Sequence, residues 1–206
     1  MTDLAAWPDV RAADLRRDYG GIGDGAHTAR DTAALLAAIA DLPRGGELTI
    51  PRGYWTINQP IVIPKAITIR GAGWGVPGVN EGCQIIQTVD GQDIFTIASP
   101  YVQIEDLSLG TTVATPTGGC GVRQTSGAFI GLSRIAAGGF YDNFRIDRGQ
   151  GAFLDRLVAT GPVRYGLLMA NVDSADTGDS QLIGSYLGCA ARGVSCLRYE
   201  SFLAEQ

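Results

Sequence analysis

Aspartates, arginines and aromatic residues recur at matching offsets in the last third of the chain. Asp173, Asp176 and Asp179 fall within the run NVDSADTGDS, and carboxylates this close together suit a hard cation or a sugar. The run is also rich in Asp, Ser and Gly, the residues of a solvated corner loop. That composition favours the loop, so no metal is assigned. A second group emerges when repeated segments are aligned. With Phe144, Leu167 and Val194 in one column, Arg148, Asn171 and Arg198 form another, with Asp147 and Asp173 beside it. Neighbouring strands lie ~4.8 Å apart, so one substrate can meet side chains from successive segments. A retaining glycosidase needs two carboxyl groups about 5–5.5 Å apart. Asp147, Asp173 and Asp176 are the catalytic candidates on this reading. Arg148, Asn171 and Arg198 are the substrate-binding candidates, and the alternative is a surface charge network. Trp74, Tyr101, Tyr141 and Tyr165 are either sugar-stacking platforms or packing residues; Trp74 and Tyr141 are taken as substrate-binding.

Other chemistries are excluded by count. Histidine occurs once, at His27, so a multi-histidine zinc site is impossible and a histidine-based triad has one candidate. Cys83, Cys120, Cys189 and Cys196 form no C-x-x-C pair. They read as buried free thiols, with a Cys189–Cys196 disulfide as the alternative. Gly21-x-Gly23-x-x-Ala26 matches a dinucleotide fingerprint as a string, but LRRDY before it is not a buried strand. No cofactor is expected. A net charge of −5 leaves no basic surplus for nucleic acid. No apolar run reaches ~18 residues, and the first residues carry no secretory signal. No membrane insertion is expected.

These side chains must be positioned by short strands. Glycine is 29 of 206 residues, roughly twice ordinary usage, which favours turns over long helices. Thr28 is a plausible N-cap for a helix carrying Leu35, Leu36, Ile39 and Leu42 at helical spacing, ended by Pro43 and Gly45-Gly46. From Glu47 the period becomes two. Leu48–Ile50, Trp55–Ile57, Ile61–Ile63, Ile67–Ile69, Gln84–Thr88 and Ile94–Ala98 are short β-branched runs punctuated by Pro and Gly. In the second half two segment types interleave. One is anchored at Leu107, Ile135, Leu157 and Tyr186, spaced 28, 22 and 29 residues. The other is anchored at Val122, Phe144, Leu167 and Val194, spaced 22, 23 and 27. Two ladders of nearly equal period predict stacked repeats with loops of variable length.

The stretches Asp18-Tyr19-Gly20, Gly23-Asp24-Gly25 and Asp31-Thr32-Ala33-Ala34 resemble the N-terminal signature of the pectate-lyase-like superfamily of right-handed β-helices. Gly45–Tyr54 is similar to its first strand and Pro-x-Gly corner, and Ile67–Gly73 to its strand-then-Gly-x-Gly close. The resemblance implies an all-β solenoid: a right-handed single-stranded parallel β-helix with an N-terminal α-helical cap. Residues 1–17 are expected to form an arm, 18–46 the glycine loop and capping helix, and 47–206 the coils. The superfamily includes pectin lyases, polygalacturonases and phage spike proteins. The polygalacturonase motifs are absent, and no lyase motif is established. The acidic charge and missing signal fit a virion spike of phage tailspike or head-spike type, made in the bacterial cytoplasm. Such a spike would bind, and in some cases depolymerise, a bacterial surface polysaccharide for host attachment. The alternatives are a stand-alone polysaccharide lyase or glycoside hydrolase and a structural connector subunit. The expected partners are the polysaccharide and other virion or spike subunits, with the chain as a homotrimer whose last coil is covered by another chain.

Overall fold

The computed structural model describes residues 11–74, 82–147, 150–170, 180–188 and 196–200. Strands dominate, and every pairing between strands is parallel. After β1 (Ala12–Asp14), α1 (Leu15–Tyr19) and α2 (Thr28–Asp41), the chain visits three faces in a fixed order. Face A is built from β2 (Glu47–Ile50), β5 (Thr68–Gly71), the first part of β8 (Gln103–Thr111), the first part of β10 (Gly131–Gly138), β12 (Phe153–Asp155) and β15 (Gln181–Ile183). Face B takes β3 (Gly53–Ile57), β6 (Cys83–Gln87), the second parts of β8 and β10, β13 (Val158–Thr160) and β16 (Tyr186–Leu187). Face C takes β4 (Ile61–Ile63), β7 (Phe95–Ile97), β9 (Cys120–Gln124), β11 (Asp142–Ile146), β14 (Tyr165–Ala170) and β17 (Leu197–Glu200).

Period-two patterning explains these strands. In β4 the burial alternates as Ile61 in, Val62 out, Ile63 in, as a strand with one face on a core requires. Stacking the rounds makes apolar columns. Leu48, Ile69, Ile104, Leu132 and Leu154 stand in register and have no solvent exposure; so do Ile61, Phe95, Val122, Phe144 and Leu167. The two sequence ladders hold at Leu107 opposite Ile135 and at Val122 opposite Phe144 opposite Leu167. They slip in the last round. Leu197 rather than Val194 pairs with Leu167. Tyr186 pairs with Val158, one place beyond Leu157, and is 65% exposed. The connection before β17 is longer than the one before β14, whereas the two residues before β16 match the two before β13, so there Ser185 rather than Tyr186 holds the place of Leu157.

Helix α2 packs its Leu35, Ala38 and Ile39 face against β3 and β4, over the first round. Its N-cap is His27, which makes no side-chain capping bond, and Thr28 is the first helical residue instead of the expected cap. Thr28 Oγ1 instead meets Thr56 Oγ1 at 2.9 Å. Asp31, fully buried, accepts from the Ile22 and Gly23 amides and so fixes the glycine loop. Gly23 (φ 69°) lies flat on the Trp55 indole, where a Cβ would stand 2.6 Å from the ring. The segment 12–14 is not free: β1 adds to β2 at the edge of face A.

Among the described residues five non-glycine residues have left-handed backbone: Tyr101, Asp106, Phe129, Arg134 and Arg156. Each costs about 1–2 kcal/mol. Asp106 stands opposite Arg134, and Arg134 opposite Arg156, where β8 and β10 bend from face A to face B. An Asp106–Arg134 ion pair forms there, and Arg134 holds the Asp106 carboxyl below its usual range. Glu105 joins it, accepting from Arg134 and from Arg70 at 2.8 Å each.

Candidate functional site

Face C positions the site. One residue past its inward column, the outward column runs Val62, Thr96, Arg123, Arg145, Leu168 and Arg198. A groove of about 330 Å³ opens over its middle. The side chains that matter chemically are Asp93, Arg123, Tyr141, Asp142, Arg145 and Arg164, with Gly91, Gly118 and Gly119 leaving the rim open.

The charges are arranged in a definite order. Asp147, 6% exposed, takes Arg123 Nε at 2.8 Å on one oxygen and Arg145 Nε at 2.5 Å on the other. Asp142, 1% exposed, binds Arg164 through both oxygens, with Nε to Oδ1 at 2.9 Å. That pairing drives the Arg164 pKa still higher. The Arg164 guanidinium also lies 4.7 Å from the Tyr141 ring centroid and 4.9 Å from that of Tyr165, so cation–π attraction adds to the ion pair. Asp93 has a different environment. It accepts from the Cys120 amide at 2.9 Å and from Thr96 Oγ1 at 3.1 Å, and burial pushes its carboxyl up. Three arginines therefore face two paired carboxylates and one partly buried carboxyl. Such a site can hold a polar, oxygen-rich chain through guanidinium donors.

The sequence candidates are distributed unevenly. Asp147 lies beneath the groove as the shared partner of two arginines, and Tyr141 lines it. Arg198 belongs to the same outward column, but it stands with Leu168 and Arg145 rather than with Arg148, because Leu197 pairs with Leu167. Arg148, Asn171, Asp173, Asp176 and Asp179 lie outside the described residues. Trp74 is 42% exposed and follows β5, away from the groove; Tyr101 is 61% exposed and stacks on Phe129. His27 sits in the loop before α2 with Nδ1 2.8 Å from Asp24 Oδ2. Among the described residues no three His, Cys, Asp or Glu side chains are grouped to hold a metal ion.

Asp93, Arg123, Asp142, Arg145 and Arg164 were missed by sequence reasoning. For Arg123 and Arg145 the signal was present. The residue following each face C anchor points outward, and reading one place past Phe95, Val122 and Phe144 gives Thr96, Arg123 and Arg145. The cysteines divide. Cys83 and Cys120 are buried free thiols, and burial pushes the Cys83 thiol up to about 12. Cys196 is disulfide-bonded, which corrects the free-thiol reading at that position. Cys189 lies outside the described residues. Among the described residues no helix is long and apolar enough to cross a membrane.

No family model matches the chain, and no curated protein matches it. A solved structure of ORF18 of Geobacillus virus E2 is similar, with a TM-score of 0.59 at 16% identity. The match covers 88% of this chain and 43% of that one, so the chain spans less than half the length of that protein. The likeness is one of fold.

Proposed function

We propose that the chain is a right-handed single-stranded parallel β-helix of the pectate-lyase-like kind, capped by α2, and a virion-associated spike component. It binds a bacterial surface polysaccharide along the face C groove. The observation that carries this is the groove itself: Arg123, Arg145 and Arg164 with Tyr141 on a parallel sheet face. The fixed face order supports the solenoid, and parallel crossovers are right-handed in nearly all proteins. The fold likeness to a virus protein supports the virion reading. A homotrimer, or docking on another spike subunit, accords with the exposed Leu182, Ile183 and Tyr186 of the last described round.

The test is a microarray of purified bacterial capsular and O-antigen polysaccharides probed with the full chain. Binding to a subset, lost in Arg145→Ala and Arg164→Ala variants that still fold, is the expected result. Binding to none, or binding indifferent to both substitutions, overturns the groove assignment.

A second reading, depolymerisation by a lyase or hydrolase, is favoured by Asp93, a carboxyl that lines the groove beside the three arginines, where a general acid or base would stand. Asp93→Asn separates the two. On the enzyme reading it abolishes the release of reducing or unsaturated ends and leaves binding in place. Absence of any new chain ends with the wild-type protein leaves binding alone.

A further inference from the structure

The residues with left-handed backbone occupy two corners, and their side chains differ in kind. At Asp106, Arg134 and Arg156 the strained residues hold ion pairs with Glu105, Asp155 and each other. At the other corner stand Tyr101 (φ 60°) and Phe129 (φ 54°), 61% and 49% exposed. Their rings stack, with centroids 5.7 Å apart and planes 11° from parallel. The next residue in that column is Gly151 at φ 66°, packed under the Phe129 ring. Glycine adopts this backbone freely, and aromatic residues do not. Burial does not explain why two rings are kept in it, since both lie open to solvent.

The surroundings give the ligand chemistry. Phe153, 46% exposed, lies two residues beyond Gly151 on face A, in one row with Gln103, Gly131 and Gln181. Gln103 lies over the bare Gly131, where a Cβ would fall 1.8 Å from its Oε1. Gln103, Gln150 and Gln181 are all exposed. Two stacked rings at the corner and Phe153 on face A have three amides nearby in the rows, and none of the six is charged. We propose that this corner is a second binding site, for a neutral saccharide. The apolar faces of pyranose rings pack on the aromatics, and each amide both donates to and accepts from hydroxyls. A charged ligand has no counterion among these six. A protein partner needs a larger apolar centre than one stacked pair and Phe153 make. The site differs in chemistry from the face C groove and does not depend on it.

The test pairs Tyr101→Gly and Phe129→Gly in one variant, since Gly151 shows that the corner column accepts glycine. Wild type, this variant and Arg145→Ala are run in native gels cast with dextran, mannan, galactomannan or polygalacturonate. The wild type is expected to be retarded by at least one of the neutral polymers. The double variant is expected to lose that retardation, with Kd weakened about tenfold or more, and to melt within about 2 °C of wild type. Arg145→Ala is expected to keep it. Wild-type protein retarded by none of the neutral polymers sinks the proposal. So does a variant that melts far lower, which makes the stack structural. Wild-type self-association that the variant loses makes the corner a protein interface and overturns the proposal too.

Discussion

The first and last described rounds use the same kinds of residue in the same columns and differ in what lies over them. Leu48 in β2 and Ile61 in β4 are fully buried, covered on one side by the next round and on the other by β1 and α1 over Leu48 and by α2 over Ile61. Leu182 in β15 and Leu197 in β17 extend the same two columns, yet they are 39% and 46% exposed. Apolar side chain and strand register are matched, so the difference lies in the covering element. A stacked sheet buries its interior rows without help, and each end row depends on a neighbour of another kind. Among the described residues the first round has one: Leu35, Ala38 and Ile39 on α2 with Leu42 at its C-cap, and Asp31 fixing the loop that leads into it.

The strongest way to break the comparison is to remove the cover. Deleting residues 1–46 exposes β2, β3 and β4 at a sheet edge. The expected outcome is loss of soluble protein, scored by the soluble fraction after expression. A soluble, monomeric, β-rich truncation contradicts the role given to α2. A less drastic comparison sets Leu154→Ala against Leu182→Ala, neighbours in one column at 0% and 39% exposure. The buried substitution is expected to cost about 2–5 kcal/mol and the open one less than about 1 kcal/mol, read from urea midpoints. Equal costs show that Leu182 is covered in solution.

Asp31→Ala sharpens the same contrast from inside the loop. It leaves the Ile22 and Gly23 amides without their acceptor, and an expected loss of about 1–3 kcal/mol follows, measured by thermal melting. The smallest effect is the pH dependence of the covered end. The Tyr19 hydroxyl bond and Arg11 hold the Asp41 carboxyl below its usual range, and the His27 contact does the same for Asp24. A depressed folded pKa gives stability that is present above the unfolded value, about 3.9, and is lost as pH falls through the folded one. Both groups are exposed, so the loss is small and screened by salt. Asp41→Asn should flatten the low-pH limb of the melting curve, and an unchanged limb shows that the pair contributes nothing.

Much of this was legible in the residues. The apolar triplets Trp55–Ile57 and Ile61–Ile63, the α2 stripe and the ladder anchors Leu107, Ile135, Val122, Phe144 and Leu167 all fall where the strands and helix form. Side-chain period and β-branching decide such elements locally. Register in the last round was not legible, because the long connection before β17 shifts Leu197 without changing the local pattern and the anchor place before β16 is taken by the polar Ser185. The groove was missed for a geometric reason. Four residues past an anchor such as Phe144 lies Arg148, beyond the end of β11, whereas one residue past it lies Arg145 on the outward face. Asp93 and Arg164 precede strands of face C, and only the folded chain brings them over it.

The two bent strands have a consequence for motion. In the rounds before and after them, faces A and B are served by separate strands, as with β5 and β6 or β12 and β13. In β8 and β10 a single strand serves both, turning at Asp106 and Arg134. A fluctuation that lifts one face in these rounds must lift the other, because no loop between them absorbs it. Amide protons along Gln103–Thr111 and Gly131–Gly138 should therefore exchange with deuterium as one slow cooperative block, while faces A and B of the outer rounds exchange on separate clocks.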